Sequence, residues 1–492
     1  MNPLAIKLKD VRQTFGDKEV LSIPESTIYQ NERIGIIGGN GQGKSTLLKI
    51  IHGDLIPDEG KVQREITFSY YAQISDLAEA NNNASFDWAL LSRFGVPDHA
   101  VPSLSGGEAA KYRLTQVISN YQLGLLLDEP TTHLDRDSIE KLITELNFYY
   151  GTIVFVSHDR QFLNALATKI WEVSDGSVTE YSGNYDEYIK QKELKNMTAA
   201  KEAENYMKER SRLEKAVKQK QMQAEKMQKV SAKKMQKNIR PDRLSSSKQK
   251  DTSQKGIQKQ AKSIQSRLDQ LEEKTAAHKK KKIVFPETKM IEMHNKFPIR
   301  AENFTLKKGE KRLLDNCDFS FELGKKIALI GRNGVGKTSL LEAIVNDSDG
   351  IILSSKVVFS IYRQMAYKMD SDTSVIEYLM QHTVYSEPLI RSILNNLGFE
   401  QSELSKSVCH LSGGETTKIQ IAMLFTVPSN VLILDEPTNF IDLETIQALE
   451  ELMQQYRGTI LFTSHDPYFV KNTANQIYQI ADCRLKKVET YM

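Results

Sequence analysis

Cysteine is scarce in this chain: Cys317, Cys409 and Cys483 are the only three in 492 residues, and they form no CxxC pair. That spacing suggests neither an iron–sulfur cluster nor a zinc site, and the thiols read as reduced packing residues of a cytoplasmic protein. No apolar run approaches the roughly 18 residues that suggest a membrane span. The N-terminus, Met1-Asn2-Pro3-Leu4-Ala5-Ile6-Lys7, enters a strand-like pattern with no secretory apolar region. Aromatic residues are almost missing from one long stretch, Lys190 to Lys282. A length of 492 residues still leaves room for two or three domains with sizeable cores.

Positive charge fills the stretch that aromatic residues avoid. Lys190 to Lys282 carries 28 Lys and Arg against 11 Asp and Glu, a surplus of 17. The whole chain is only +3, so everything outside this stretch sums to −14. On either side of it lies a copy of one nucleotide-binding pattern.

In the first copy, residues 1–32 alternate apolar and polar positions, as antiparallel strands do. The run Arg33-Ile34-Gly35-Ile36-Ile37 feeds into Gly38-Gly39-Asn40-Gly41-Gln42-Gly43-Lys44-Ser45-Thr46, and a helical stretch follows. Strand, glycine loop and helix in this order make a P-loop: backbone N–H groups close around phosphate oxygens at a helix N-terminus. Lys44 then supplies a point charge to the β- and γ-phosphates, and Ser45 a hydroxyl to Mg2+. An edge strand, Ile66 to Tyr71, leads to Gln73, and after a poorly patterned region Leu104-Ser105-Gly106-Gly107-Glu108 opens a helix. The apolar run Leu123 to Leu127 is a buried strand ending in two carboxylates, Asp128 and Glu129. Asp128 is placed to hold Mg2+ through water, and Glu129 to orient or deprotonate an attacking water. A further strand, Thr152 to Val156, delivers His158 to the position expected of a γ-phosphate sensor.

The second copy repeats each part: the P-loop Gly331-Arg332-Asn333-Gly334-Val335-Gly336-Lys337-Thr338, then Gln364, Ser412-Gly413-Gly414-Glu415, Asp435-Glu436 and His465. The P-loop lysines are 293 residues apart, while signature serines, carboxylates and histidines are all 307 apart. The second copy therefore carries 14 extra residues, all ahead of its signature. The fold class that follows is α/β, two tandem P-loop NTPase domains joined by a helical linker.

P-loop, Gln73, LSGGE, carboxylate pair and histidine, in that order and twice over, resemble the ATP-binding cassette superfamily. The likeness implies two cassettes packed head to tail, the P-loop of one facing the signature of the other. One composite site would use Gly38, Asn40, Gly41, Gly43, Lys44, Ser45, Thr46, Gln73, Asp128, Glu129 and His158 with Ser412, Gly413 and Gly414. The other would use Gly331, Asn333, Gly334, Gly336, Lys337, Thr338, Ser339, Gln364, Asp435, Glu436 and His465 with Ser105, Gly106 and Gly107. ATP and Mg2+ are the implied ligands; Ser45, Gln73, Asp128, Thr338, Gln364 and Asp435 reach the metal directly or through water. Glu129, Glu436, His158 and His465 are the implied catalytic groups. Phe15 stands where the superfamily places an aromatic residue against adenine, whereas counting back from Gly309 gives Lys308 in the second copy. Thr132 replaces a usual Asn, and Phe440-Ile441 replaces the His133-Leu134 pair. Both copies keep Lys and Glu, so both are expected to bind ATP and to hydrolyse it.

Two cassettes on one chain around a basic linker resemble the ABC-F family of ribosome-associated ATPases. The run Tyr181-Ser182-Gly183-Asn184-Tyr185-Asp186-Glu187-Tyr188 is similar to the one that precedes the family's linker. Lys44 to Ser105 spans only 61 residues, too short for an added arm subdomain. The mid-linker run Arg240 to Lys248 resembles the antibiotic-resistance, ribosome-protecting members, most of all the Msr type linked with macrolides and streptogramin B, with the Vga type second. The expected domains are residues 1–189, a basic linker over 190–290 with its apex about 231–250, and residues 291–492.

Within the linker, Tyr206, Leu213, Val217 and Ala224 form a ragged heptad seam over Lys190 to Val230, and Ile257, Ala261, Ile264, Leu268 and Leu271 a cleaner one. Asp251 with Gln254 reads as the return helix's N-cap, so the pattern predicts an antiparallel helical hairpin with Pro241 at its turn. Concentrated positive charge of this kind suits a phosphate backbone. The family likeness implies that the partner is the ribosome, with the hairpin in the tRNA exit site and its tip near P-site tRNA and rRNA, and that a single chain acts with its own two cassettes paired. The expected function is an ATPase that displaces macrolide or streptogramin antibiotics, with lincosamides and pleuromutilins as further classes. Three rivals stand beside it: a housekeeping translation factor of the same family, the ATPase subunit of a drug-efflux transporter whose spans lie on a partner, and a DNA-repair or chromosome ATPase.

Overall fold

Alternating burial builds the first layer of each cassette. In the computed structural model, which describes residues 3–16, 18–72, 86–96, 106–132, 134–236, 259, 262–264, 266–267, 293–332, 334–362, 371–439 and 441–488, the chain opens with β1 (Leu4–Phe15) and β2 (Lys18–Tyr29). Ile6, Leu8 and Val11 of β1 are buried in the core, Ala5 beside them is buried as well, and Lys9, Asp10 and Arg12 are exposed. The pair is antiparallel, and β4 (Glu59–Arg64) joins β1 on its other edge.

The central sheet is made from continuous apolar runs, as strands buried on both faces must be. It contains β3 (Arg33–Ile37), β5 (Phe68–Tyr71), β6 (Gly124–Asp128), β7 (Thr152–Val156), β8 (Lys169–Ser174) and β9 (Ser177–Ser182). Their order is β5-β6-β7-β3-β8-β9, parallel throughout except for β9. This order sets the carboxyl ends of β6, β7 and β3 side by side. The carboxylate pair, the histidine loop and the P-loop leave from those three ends, so residues far apart in sequence become neighbours.

The second cassette follows the same plan. Its antiparallel layer is β10 (Ile299–Lys308), β11 (Lys311–Phe321) and β13 (Ile351–Leu353). Its central sheet takes β12 (Lys326–Ile330), β14 (Phe359–Tyr362), β15 (Val431–Leu434), β16 (Thr459–Thr463), β17 (Gln476–Ala481) and β18 (Arg484–Val488), in the order β14-β15-β16-β12-β17-β18. Between β14 and the second signature lie two helices, Val375–His382 and Glu387–Asn396, in the region that holds the 14 extra residues. A short helix, Trp88–Arg93, occurs in the first cassette's poorly patterned region, N-capped by Asp87, whose Oδ1 accepts from Leu90 N at 2.9 Å.

By contact density the chain forms two units: residues 1–188 with 281–492, which hold both cassettes, and residues 189–280. A 52-residue helix, Tyr185–Gln236, runs out of the first cassette. It begins five residues ahead of the expected Lys190, because Asn184 and Glu187 make a reciprocal cap, each backbone N–H donating to the other's side chain at 3.1 Å. Along the helix, Ala203 and Val217 are buried and Tyr206 and Leu213 half-buried, which continues the heptad seam one step toward the N-terminus. Ile264, in the expected return helix, is helical and half-buried. Ile257, Ala261, Leu268, Leu271, Asp251, Gln254, Pro241 and the apex from 237 to 250 lie outside the described residues, as does the side chain of Ala224.

A hydrophobic core cluster of the first cassette includes Ile34, Ile36, Leu47, Leu126, Val154 and Trp171. Trp171 is fully buried in β8. Trp171→Ala is expected to lower unfolding stability by about 3–5 kcal/mol, read from denaturant unfolding followed by circular dichroism.

Candidate functional site

Both P-loops turn on glycines in the left-handed region. Gly41 and Gly43 have φ of 77° and 94°, and Gly334 and Gly336 have φ of 71° and 110°. A side chain at Gly38 would meet the Val173 carbonyl oxygen at 2.3 Å, and one at Gly331 that of Ile480 at 2.8 Å. The helices Lys44–His52 and Lys337–Val345 start directly after the loops, which gives each loop the positive end of a helix dipole. Lys44 Nζ donates to the carbonyls of Gly38 at 2.8 Å and Gly39 at 3.0 Å; Lys337 Nζ donates to Gly331 at 2.9 Å. Burial lowers the pKa of both lysines, opposed chiefly by Glu129 at Lys44 and by Glu436 at Lys337.

Both loops open into one cavity of about 1130 Å3, which Ser45, Thr46, Thr338 and Ser339 also line. Asp128 and Glu129 end β6 inside it. Burial raises the Asp128 carboxyl, while the Ser45 hydroxyl bonded to it and the Lys44 charge pull it down. Its Oδ1 is buried with no hydrogen-bond partner in the structure. A hydroxyl and a carboxylate facing each other with an unsatisfied oxygen fit Mg2+, which takes few protein ligands and leaves the rest to phosphate and water. In the second cassette Thr338 lines the same cavity, and Asp435 Oδ1 accepts from Thr463 Oγ1 at 2.6 Å.

The two glutamates share a backbone feature that the sequence pattern does not announce. Glu129 and Glu436 have φ of 50° and 45°, a left-handed conformation that a residue with a Cβ seldom adopts. The turn is held by hydrogen bonds, from Glu129 N to Val156 O at 3.0 Å and from Glu436 N to Thr463 Oγ1 at 2.8 Å. It aims each carboxyl at the histidine beside it. His158 Nε2 lies 3.3 Å from Glu129 Oε1, and His465 Nε2 lies 3.2 Å from Glu436 Oε1. The backbone N–H of each histidine also donates to its glutamate. Burial pushes both glutamates up to about 7. Burial and the P-loop lysines hold both histidines well below their ordinary range, His465 at about 4, so the imidazoles are neutral at pH 7.

Each cassette reaches into the other's loop. A Cβ on Gly414, in the second signature, would lie 3.5 Å from Asn40 Nδ2 in the first P-loop. Asn40 N donates to Asp442 Oδ2 at 3.3 Å. On the other side Arg332 Nε lies 3.9 Å from Asp137 Oδ2, and the Asp135 carboxylate partly opposes the lowering of the His465 pKa by burial and Lys337. This is the head-to-tail pairing. Ser412 N-caps the helix Gly413–Thr426 and closes a capping box with Glu415, which explains the signature's final residue. Gly106 and Gly107 begin the helix Gly106–Ser119. Gln73, Ser105, Asn333, Gln364, His133 and Phe440 lie outside the described residues.

The cavity lining differs between the halves at one pair of equivalent hairpin tips. Phe15 pairs with Lys18 and is followed by Gly16 at φ 59°; Lys308 pairs with Lys311 and is followed by Gly309 at φ 61°. Lys308 thus holds the position of Phe15 at the tip of the equivalent hairpin, and both line the cavity. Lys311 Nζ donates to Gly334 O at 3.4 Å and adds a second cation there. Sequence reasoning missed Asp442, Lys311 and the strained glutamates. Asp442 ends the loop after Asp435-Glu436 in the same register as Asp135, which was the available signal.

Comparison with known proteins places this geometry. A family model described as ABC transporter matches residues 21–132 and 314–439, and a second model of the same description matches residues 171–255. The erythromycin resistance ATP-binding protein MsrA of Staphylococcus epidermidis is 44% identical over 98% of each chain. The ribosome protection protein VmlR of Bacillus subtilis is 34% identical over 98% of this chain and 88% of its own. Among solved structures, an archaeal ribosome recycling factor, aABCE1, crystallised with the ribosomal stalk protein aP1, superposes with a TM-score of 0.61. It covers 97% of this chain and 89% of its own at 17% identity, a likeness of fold.

The Phe15–Lys308 difference sets an expectation for nucleotide binding. Aromatic stacking on a base contributes about 1–3 kcal/mol, so Lys308→Phe should tighten the second site for ATP roughly tenfold and Phe15→Lys should weaken the first by a similar factor. Titration with a fluorescent ATP analogue, the other P-loop lysine being replaced by alanine, reads each site alone.

Proposed function

Because the chain belongs to the ABC-F family of ATP-binding cassette proteins, we propose that it protects ribosomes from antibiotics by an ATP-driven closure of its two cassettes. It is an ATPase. The observation that carries the chemistry is the duplicated set of P-loop lysine, strand-end glutamate and switch histidine around one cavity.

Roles follow from that geometry. The P-loop amides and Lys44 or Lys337 hold the β- and γ-phosphates of ATP. Mg2+, which Ser45 and Asp128 would hold in one site and Thr338 and Asp435 in the other, with Gln73 and Gln364 as further ligands, neutralises phosphate charge when bound. Ser412 and Gly414 close on the nucleotide of the first P-loop, and Ser105 and Gly107 on that of the second. Glu129 or Glu436, ionised, accepts the proton of the attacking water as its oxygen bonds to the γ-phosphorus and the bond to ADP breaks. A neutral His158 or His465 beside the carboxyl orients the γ-phosphate and adds no charge that would disfavour that proton transfer. Once the γ-phosphate leaves, the contact between halves that it bridged is gone.

Support for the ribosome as partner comes from two directions. The linker's surplus of 17 positive charges suits rRNA and tRNA backbones, and two full-length relatives are an erythromycin resistance protein and a ribosome protection protein. Among the described residues no helix is long and apolar enough to cross a membrane. In this reading one chain acts in the cytoplasm with its two cassettes paired. Residues 190–290 form a hairpin that enters the ribosomal exit-site region, and its apex, about 231–250, shifts P-site tRNA or rRNA so that a bound macrolide or streptogramin leaves; lincosamides and pleuromutilins are further candidates.

Glu129→Gln with Glu436→Gln should retain ATP and stall the closed state. The double variant is expected to co-sediment with ribosomes only when ATP is present; no binding in either condition would remove the ribosomal reading. The pH dependence has a fixed sign. A base raised to about 7 is protonated below that value, so steady-state turnover should fall as pH drops through 7 and level off above roughly pH 8.

A further inference from the structure

One buried ion pair crosses between the cassettes away from the nucleotide cavity. Arg160 Nη1 donates to Glu450 Oε1 at 2.7 Å, with side-chain exposures of 4% and 10%. Arg160 Nε also lies 4.0 Å from Asp466 Oδ2. Glu450 is held from behind by Asn472, whose Nδ2 donates to Oε2 at 3.0 Å.

The position of these groups in the chain gives the pair a meaning. Arg160 is two residues past His158, and Asp466 is the residue after His465. Asp159 and Asp466 each N-cap the helix that follows their histidine. Asp466 uses Oδ1 for that cap and turns Oδ2 toward Arg160. A continuous path thus runs from Glu129 and His158 through Arg160 to Asp466, His465 and Glu436. In the 307-residue register Pro467 stands where Arg160 does, and Ile143 where Glu450 does, so the opposite half has no charged residue at either equivalent position. A buried ion pair adds little stability over apolar residues of similar size, so stability alone does not account for a charged pair here.

We propose that Arg160 is a positioning residue that couples the two ATP sites, holding the two switch-histidine loops in one arrangement so that occupancy of one site sets the geometry of the other. It rests on the ATPase reading above. Two ligand sites joined in this way bind cooperatively, with a Hill coefficient that can approach the number of sites.

The test is steady-state ATP hydrolysis by the full chain across ATP concentration. The wild type should give a Hill coefficient near 2 and Arg160→Met with Glu450→Leu one near 1, with the thermal unfolding midpoint held within a few degrees, since an apolar pair replaces the ionic one. Arg160→Lys, which keeps the charge, should restore a value above 1. Tyr468→Phe removes a different hydrogen bond across the same interface, that from Asn164, and should leave the wild-type value. Should the double variant fail to fold, Glu450→Gln removes the charge at nearly the same shape and is read in the same way. Wild-type cooperativity in the uncharged variants, an equal loss in Tyr468→Phe, or a wild-type coefficient of 1 would each overturn the coupling while leaving the ATPase intact. A wild type that does not hydrolyse ATP would instead sink the reading on which it rests.

Discussion

Two buried lysines at two helix N-termini set the terms for the rest of this molecule. Lys44 and Lys337 are desolvated, donate to carbonyls of their own loops, and face buried carboxyls that burial raises toward neutrality. Each site therefore concentrates positive potential that a triphosphate satisfies and that one cassette only half encloses. The other half of the enclosure comes from the opposite signature and from Asp442 on the Asn40 amide. In the proposed function, nucleotide binding and cassette closure are one event for this reason, and cleavage of the γ-phosphate undoes both.

The sheet order is what lets a linear pattern become such a site. Because β6, β7 and β3 are adjacent, three motifs spread from Lys44 to His158, 114 residues apart, converge at one sheet edge. That convergence was legible in the sequence, since each motif is a run of consecutive residues with its own strand or helix beside it. Lys308 was legible as well, because Gly309 marks the same hairpin tip as Gly16. The family likeness implied the P-loop-to-signature pairing, but not the particular contact of Asn40 with Asp442: the two are about four hundred residues apart, and neither lies in a local pattern that names the other. Nor does composition reveal the left-handed turn at Glu129 and Glu436, where hydrogen bonds from neighbouring strands override the residue's own preference. The long helix starts earlier than its charge pattern indicates because a cap at Asn184, not the onset of basic residues, decides where it begins.

Charge divides the labour between the parts. The two cassettes together carry the acidic excess and the linker a surplus of 17 positive charges, so the linker is the surface drawn to a polyanion. The duplication leaves the halves unequal in the cavity lining, Phe15 against Lys308, and at the interface, where Arg160 and Glu450 have Pro467 and Ile143 as their counterparts in the repeat register. The two copies thus differ in their surroundings while keeping the same lysine, glutamate and histidine.

The most direct measurement is release of labelled erythromycin from purified, drug-loaded ribosomes, with no membrane present, on adding the Glu129→Gln/Glu436→Gln chain with or without ATP. The account predicts release with ATP, and none without ATP or with a chain whose 231–250 segment is replaced by a short glycine–serine turn. Retention of the drug by ribosomes that have bound the ATP-locked chain would contradict it for this antibiotic.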